Sequence, residues 1–163
     1  MTKKQVRVLF ILYLLILLKV IVFKYPWWRL REIMAGWQKD VLWEGLQGAN
    51  FTLFKTIRLY VRHWNLKEIN SFGNLVGNVI AFMPFGYLLP RVWKAAQHVV
   101  VCMGAAFLTV VGIELFQLLS AFGIFDVDDI LLNCLGALLG YLCFLAARCL
   151  GWTEERKKSS AVR

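Results

Sequence analysis

Four stretches of the chain are almost wholly apolar, at residues 6–23, 72–89, 99–122 and 130–150. Each is close to the ~20 residues that a helix needs to cross a hydrocarbon core. In a soluble domain every one of them would have to be a fully buried helix. A chain of 163 residues cannot wrap four such helices. The pattern predicts an all-α, polytopic membrane helical bundle with four transmembrane helices. They form a single domain over residues 1–150, followed by a polar cytoplasmic tail over 151–163 that is expected to be disordered from Glu154 to Arg163.

The first apolar block follows Lys3 and Lys4, as a signal peptide would. No small-residue cleavage site follows it, however. The next residues are Lys24, Tyr25, Pro26, Trp27 and Trp28, so the block reads as an uncleaved first span. Lys19 lies near its far end, where the side chain can snorkel to the interface. Residues 24–69 contain no run of spanning length. They carry five of the seven tryptophans, and Phe51, Leu53, Phe54, Ile57, Leu59 and Val61 are interleaved with Lys55, Arg58 and Arg62. Tryptophan with lysine or arginine is the composition of a membrane interface, so an amphipathic interfacial segment is expected between helices one and two. Asn50-Phe51-Thr52 is formally a glycosylation sequon, which at this length reads as chance. Pro84 removes a backbone donor and should kink or break the second span, together with Gly86.

Composition sharpens this picture. Hydrophobic residues make up 60% of the chain, against about 45–50% in soluble domains. The net charge is +9. The basic residues flank apolar blocks rather than forming a stripe on a soluble module, which argues against a nucleic-acid partner and for membrane topology and anionic lipid contact. Lys3, Lys4 and Arg7 mark the start of the first span, and Arg91 and Lys94 join the second to the third. Arg148, Arg156, Lys157 and Lys158 close the fourth. The loop between the third and fourth spans has no basic residue and carries Asp126, Asp128 and Asp129. The positive-inside rule then places both termini in the cytoplasm of a multi-pass cell-membrane protein. The basic first loop opposes that assignment and is expected to lie on the outer surface. Cys102, Cys134, Cys143 and Cys149 contain no Cys-x-x-Cys pair and read as small buried hydrophobes.

Polar residues inside the spans carry the candidate chemistry, because ionisable groups there are costly, about 2.5–3.5 kcal/mol at a helix centre. Asn74 and Asn78 share one helical face, and Glu114 and Gln117 share another. Asp126, Asp129 and Asn133 form a third stripe, continued by Gly136 and Gly140. Glycines at that spacing let a neighbouring helix approach closely, either within the chain or between copies in a homo-oligomer. With the predicted topology all three stripes fall at one depth, near the external face. That level suggests a polar pocket, centred on Glu114 and Asp129, for a membrane lipid or lipid-linked envelope molecule. The same groups could instead only hydrogen-bond one another and hold the bundle. Asp126, Asp128, Asp129 and Glu114 are hard ligands suited to magnesium or calcium, but Asp-x-Asp-Asp is short and common, so no metal and no cofactor is assigned. His63 and His98 have no serine partner that would suggest a nucleophile triad.

The motifs around these residues resemble the VanZ-like family of membrane proteins. The matching stretches are residues 77–86, with Asn78, Pro84 and Gly86, and residues 113–117, with Glu114 and Gln117. They continue through Phe125-Asp126-Val127-Asp128-Asp129 and Asn133-Cys134-Leu135-Gly136. Asn50 to Ile57 resembles the family's loop before the second span, and the likeness covers residues 10–145. Two positions depart from it: many members carry arginine where Gly123 stands and proline where Leu53 stands. The resemblance implies a role in resistance to teicoplanin, an acylated glycopeptide. On this reading the protein is non-catalytic, and its pocket binds or excludes a lipophilic ligand. The alternative is a metal-dependent hydrolase or transferase acting on a lipid-linked precursor.

Overall fold

The computed structural model describes residues 3–22, 31, 39–62, 69–120 and 123–161. Its helices are α1 (Lys3–Val22), α2 (Lys39–Gly48), α3 (Lys55–Arg62), α4 (Ile69–Val92), α5 (Val99–Ser120) and α6 (Val127–Ala161). A single 3₁₀ turn, Lys94–Gln97, joins α4 to α5. Among the described residues there is no strand, only an isolated parallel bridge between Asn50 and Asp126.

Among the described residues, three helices are long and apolar enough to cross a membrane: Leu75–Val92, Val99–Ser120 and Val127–Gly151. Between 22 and 39% of each window is buried within the chain. The remaining apolar surface faces outward, as at Val100, 79% exposed, and Leu108, 71% exposed. Water would oppose that exposure at about 25 cal/mol per Å², whereas lipid tails do not. On α1, Val8, Ile11, Leu15, Ile16 and Leu18 are also exposed.

The tightest contact is between α4 and α6. Gly136 lies against the Val79 carbonyl, Gly140 against the Met83 carbonyl, and Gly86 against the Ala137 carbonyl. A Cβ at any of these three positions would overlap a backbone oxygen of the other helix. The expected glycine stripe therefore packs within the chain. Rising numbers on α4 meet rising numbers on α6, so the two helices run parallel. α1 runs antiparallel to α4, because the Phe10 ring packs tilted on that of Phe85, centroids 5.9 Å apart, and the Tyr13 hydroxyl donates to the Ala81 carbonyl at 2.9 Å. α5 runs antiparallel to both α4 and α6 and packs against them. It turns one continuous stripe inward, Cys102, Ala106, Val110, Glu114 and Leu118. The small members of that stripe allow close approach, and Glu114 occupies its next-to-last position.

These directions sort the charges. Lys3, Lys4, Arg7, Arg91, Lys94 and Arg148 collect at one end of the bundle, and Asn78, Glu114, Asp126, Asp128 and Asp129 at the other.

Two expectations fail. α4 runs unbroken through Pro84 and Pro90. The carbonyls that Pro84 and Pro90 leave without a helix donor are those of Ile80 and Gly86, and such gaps are tolerated in membrane helices. Residues 154–161, expected to be disordered, continue α6 to Ala161. They lack a proline and have good helix formers such as Glu154, Glu155, Arg156 and Lys157.

Gly86→Ala is expected to destabilise the protein by about 1–3 kcal/mol through overpacking against α6. Gly112→Ala, where nothing lies within 4 Å, should be neutral or gain up to ~1 kcal/mol of helix propensity. Thermal melts of the two variants in detergent check this.

Candidate functional site

The polar end is built around the first turn of α6. Asp126 immediately precedes that helix, and its Oδ1 accepts the Asp128 N–H at 2.8 Å. This is N-cap geometry, which satisfies one of the donors a helix start leaves free. The same Oδ1 accepts the Asn50 side-chain amide at 2.8 Å, and Oδ2 accepts the Thr56 hydroxyl at 2.6 Å. Backbone bonds reinforce the junction: the Asn50 N–H donates to the Phe125 carbonyl at 2.8 Å, and the Val127 N–H to the Asn50 carbonyl at 3.0 Å.

Asp128 turns the other way and caps α3. Its carboxylate accepts the backbone N–H groups of Phe54, Thr56 (2.8 Å) and Ile57 (3.2 Å). The residue is 0% exposed. A buried carboxylate is costly unless it is paired. Here three N–H donors at the positive end of a helix dipole surround it. The cap also holds Phe54 at φ 64°, a left-handed conformation that costs a bulky residue about 1–3 kcal/mol. The Asn50 side-chain oxygen, accepting the Thr52 N–H at 3.1 Å, shapes the turn leading into it.

α3 is thereby pinned across the ends of α4 and α6. Thr56, Ile57 and Tyr60 face inward, half-buried, while Lys55, Arg58, Leu59, Val61 and Arg62 are exposed. Phe51 packs on Phe125 with ring centroids 5.3 Å apart.

Below this junction, α5 and α4 are tied to α6. Glu114, 3% exposed, accepts the Asp126 N–H at 3.1 Å on Oε2. The Asn78 amide donates to Asp129 Oδ1 at 2.6 Å. The Asn133 amide donates to the Asp129 carbonyl one turn back at 2.8 Å. Of the residues expected to line a pocket, Asn78, Glu114, Asp126, Asp129 and Asn133 thus meet in one network at one end. Gln117 sits one turn beyond Glu114 on α5 and packs on Gly123. That packing explains why a residue without a side chain fits at 123. The side chain of Asn74 lies outside those described. Asn78, Gln117, Asp126 and Asp129 stay half-buried, so they form the accessible part of the network.

Asn50, Thr56 and Asp128 were not among the residues expected to line the pocket. Asn50 is 6% exposed and bonded to Asp126, so the sequon-like tripeptide has a structural use. Both oxygens of Asp126 and both of Asp128 are engaged by donors of the chain itself. Among the described residues, no three histidine, cysteine, aspartate or glutamate side chains come together as a metal site. The carboxylate cluster suggested for magnesium or calcium therefore does not converge.

Asp128→Asn replaces one acceptor oxygen with an amide facing backbone N–H groups. The variant is expected to lose about 1–3 kcal/mol and to release α3. Limited trypsin digestion should then cut after Lys55 and Arg58 much faster than in the wild type, with the spanning helices intact.

The VanZ/LLP1 family profile matches residues 10–148. Protein VanZ of Enterococcus faecium is 28% identical over 115 residues, covering 68% of this chain and 70% of that protein. No solved structure matches the chain.

Proposed function

The chain belongs to the VanZ-like family, and from that premise we propose that it is a non-catalytic protein of the bacterial cell membrane whose polar end faces outward and lowers susceptibility to glycopeptides such as teicoplanin. It does so by binding or excluding a lipophilic or lipid-linked molecule at the outer leaflet. α1 is the fourth span in this reading, supported by its 20-residue length and its exposed apolar flanks. Both termini lie in the cytoplasm, in keeping with the basic residues gathered at the end opposite Asp126.

One observation carries the reading. The accessible polar groups Asn78, Gln117 and Asp129 lie at the same end as α3, whose apolar and cationic residues are exposed together. Leu59 and Val61 suit the acyl region of a leaflet, and Lys55, Arg58 and Arg62 suit its headgroups. An amphiphile entering from the outer leaflet would meet apolar, cationic and hydrogen-bonding groups at one level. The outer-leaflet placement of α3 also accounts for a basic loop outside, since a lysine or arginine near an anionic surface gains about 1 kcal/mol.

The test is teicoplanin susceptibility of a sensitive host expressing wild type, Glu114→Gln or Asp129→Asn at matched membrane levels. Wild type should raise the inhibitory concentration several-fold, and both variants should lose most of that protection. Full protection by both variants would remove the polar end from the function.

A further inference from the structure

A second feature lies beside α1, around the middle of the bundle and towards its basic end, and does not depend on the resistance reading. An apolar groove of about 570 Å³ opens between α1, α4 and α6. Its walls include Leu9, Leu12 and Ile16 of α1, Met83 and Tyr87 of α4, and Cys143 of α6. The groove lies beside the face by which α1 packs on α4, at Phe10–Phe85 and Tyr13–Ala81. The Tyr13 hydroxyl, which borders the groove, is already spent on the Ala81 carbonyl. The surface is apolar throughout and open along its length.

Length, volume and charge narrow the occupant. From Leu9 to Ile16 the wall extends about 10 Å at ~1.5 Å per residue. Half of a ~30 Å hydrocarbon core is about 15 Å, so the groove covers about two thirds of a chain that stays within a single leaflet. A long polyprenyl chain would overrun it. The volume falls in the range of about 300–1,000 Å³ found for small-molecule sites. At the basic end of the bundle, the Arg91 guanidinium lies 4.2 Å over the ring of Tyr87, itself a wall residue. Lys94 follows one turn later. A guanidinium held in place by an aromatic face presents paired donors that match a phosphate.

We propose that this groove holds one acyl chain of an anionic phospholipid from the leaflet at the basic end, with its phosphate at Arg91. The lipid completes the contact between α1 and the rest of the bundle, filling the space that protein side chains leave.

The test uses the full chain purified in mild detergent after exposure to an equal mixture of phosphatidylglycerol and phosphatidylcholine. Native mass spectrometry should show one phosphatidylglycerol retained per chain. Leu12→Trp, at a position 51% exposed, fills the groove and should lose the bound lipid. Ile16→Trp, at 62% exposed, gives a second filling variant, and unchanged helix content shows that each remains folded. Arg91→Gln should retain a lipid but lose the preference for phosphatidylglycerol. Equal retention by wild type and both folded tryptophan variants would overturn the groove as the site. An unchanged preference in Arg91→Gln would overturn the headgroup assignment. Displacement of phosphatidylglycerol by an added polyprenyl phosphate would overturn the choice of chain.

Discussion

The carboxylate of Asp128, with no exposed surface, accepts three backbone N–H groups at the start of α3. The arrangement of the whole polar end depends on that interaction. Removing a carboxylate from water is expensive, and only dense, well-aimed donors offset the cost. Asp126, two residues earlier, complements it by capping α6 and binding Asn50 and Thr56. Each aspartate thus serves one helix start, and between them they lock α3 onto α6. Without the first, Phe54 has no compensation for its left-handed backbone, and the segment from Asn50 onward loses its path.

The helices beneath make this junction possible. In lipid there is little hydrophobic drive between spans, so close backbone packing and polar ties hold them together. Gly86, Gly136 and Gly140 bring α4 and α6 into backbone contact, which sets the register at which Asn78 reaches Asp129. Cys102, Ala106 and Val110 draw α5 close in the same way and place Glu114 below the Asp126 amide. Interhelical polar contacts average about 0.6 kcal/mol each, so glycine packing supplies the close fit and the polar bonds specify one end. The opposite end carries the basic residues Arg91, Lys94 and Arg148 in place of this polar network.

Much of this was legible in the residues themselves. Apolar blocks of spanning length marked α4, α5 and α6. The spacing of Asp129, Asn133, Gly136 and Gly140 marked the face of α6 that meets α4. The level of Asn78, Glu114 and Asp129 followed from chain direction alone. What stayed hidden has a common physical cause. Asp128 is held by backbone N–H groups more than seventy residues earlier, and a backbone donor leaves no mark in the side-chain pattern. Asn50 was obscured because a three-residue sequon is satisfied by chance more often than by design. Pro84 misled for a different reason: the rule that proline breaks a helix holds for helices in water, whereas membrane helices tolerate it and α4 continues through it. The continuation of α6 to Ala161 reflects local helix propensity, which a reading based on polarity alone discounts.

The most direct measurement of the central interaction is amide hydrogen exchange at Phe54, Thr56 and Ile57 in the full-length protein. If the Asp128 carboxylate holds them, all three should exchange as slowly as amides in the first turn of α6, even though the neighbouring side chains Leu53, Phe54 and Lys55 are exposed. Exchange at the rate of an unprotected peptide would contradict the account, because α3 would then not be fixed to the end of the bundle.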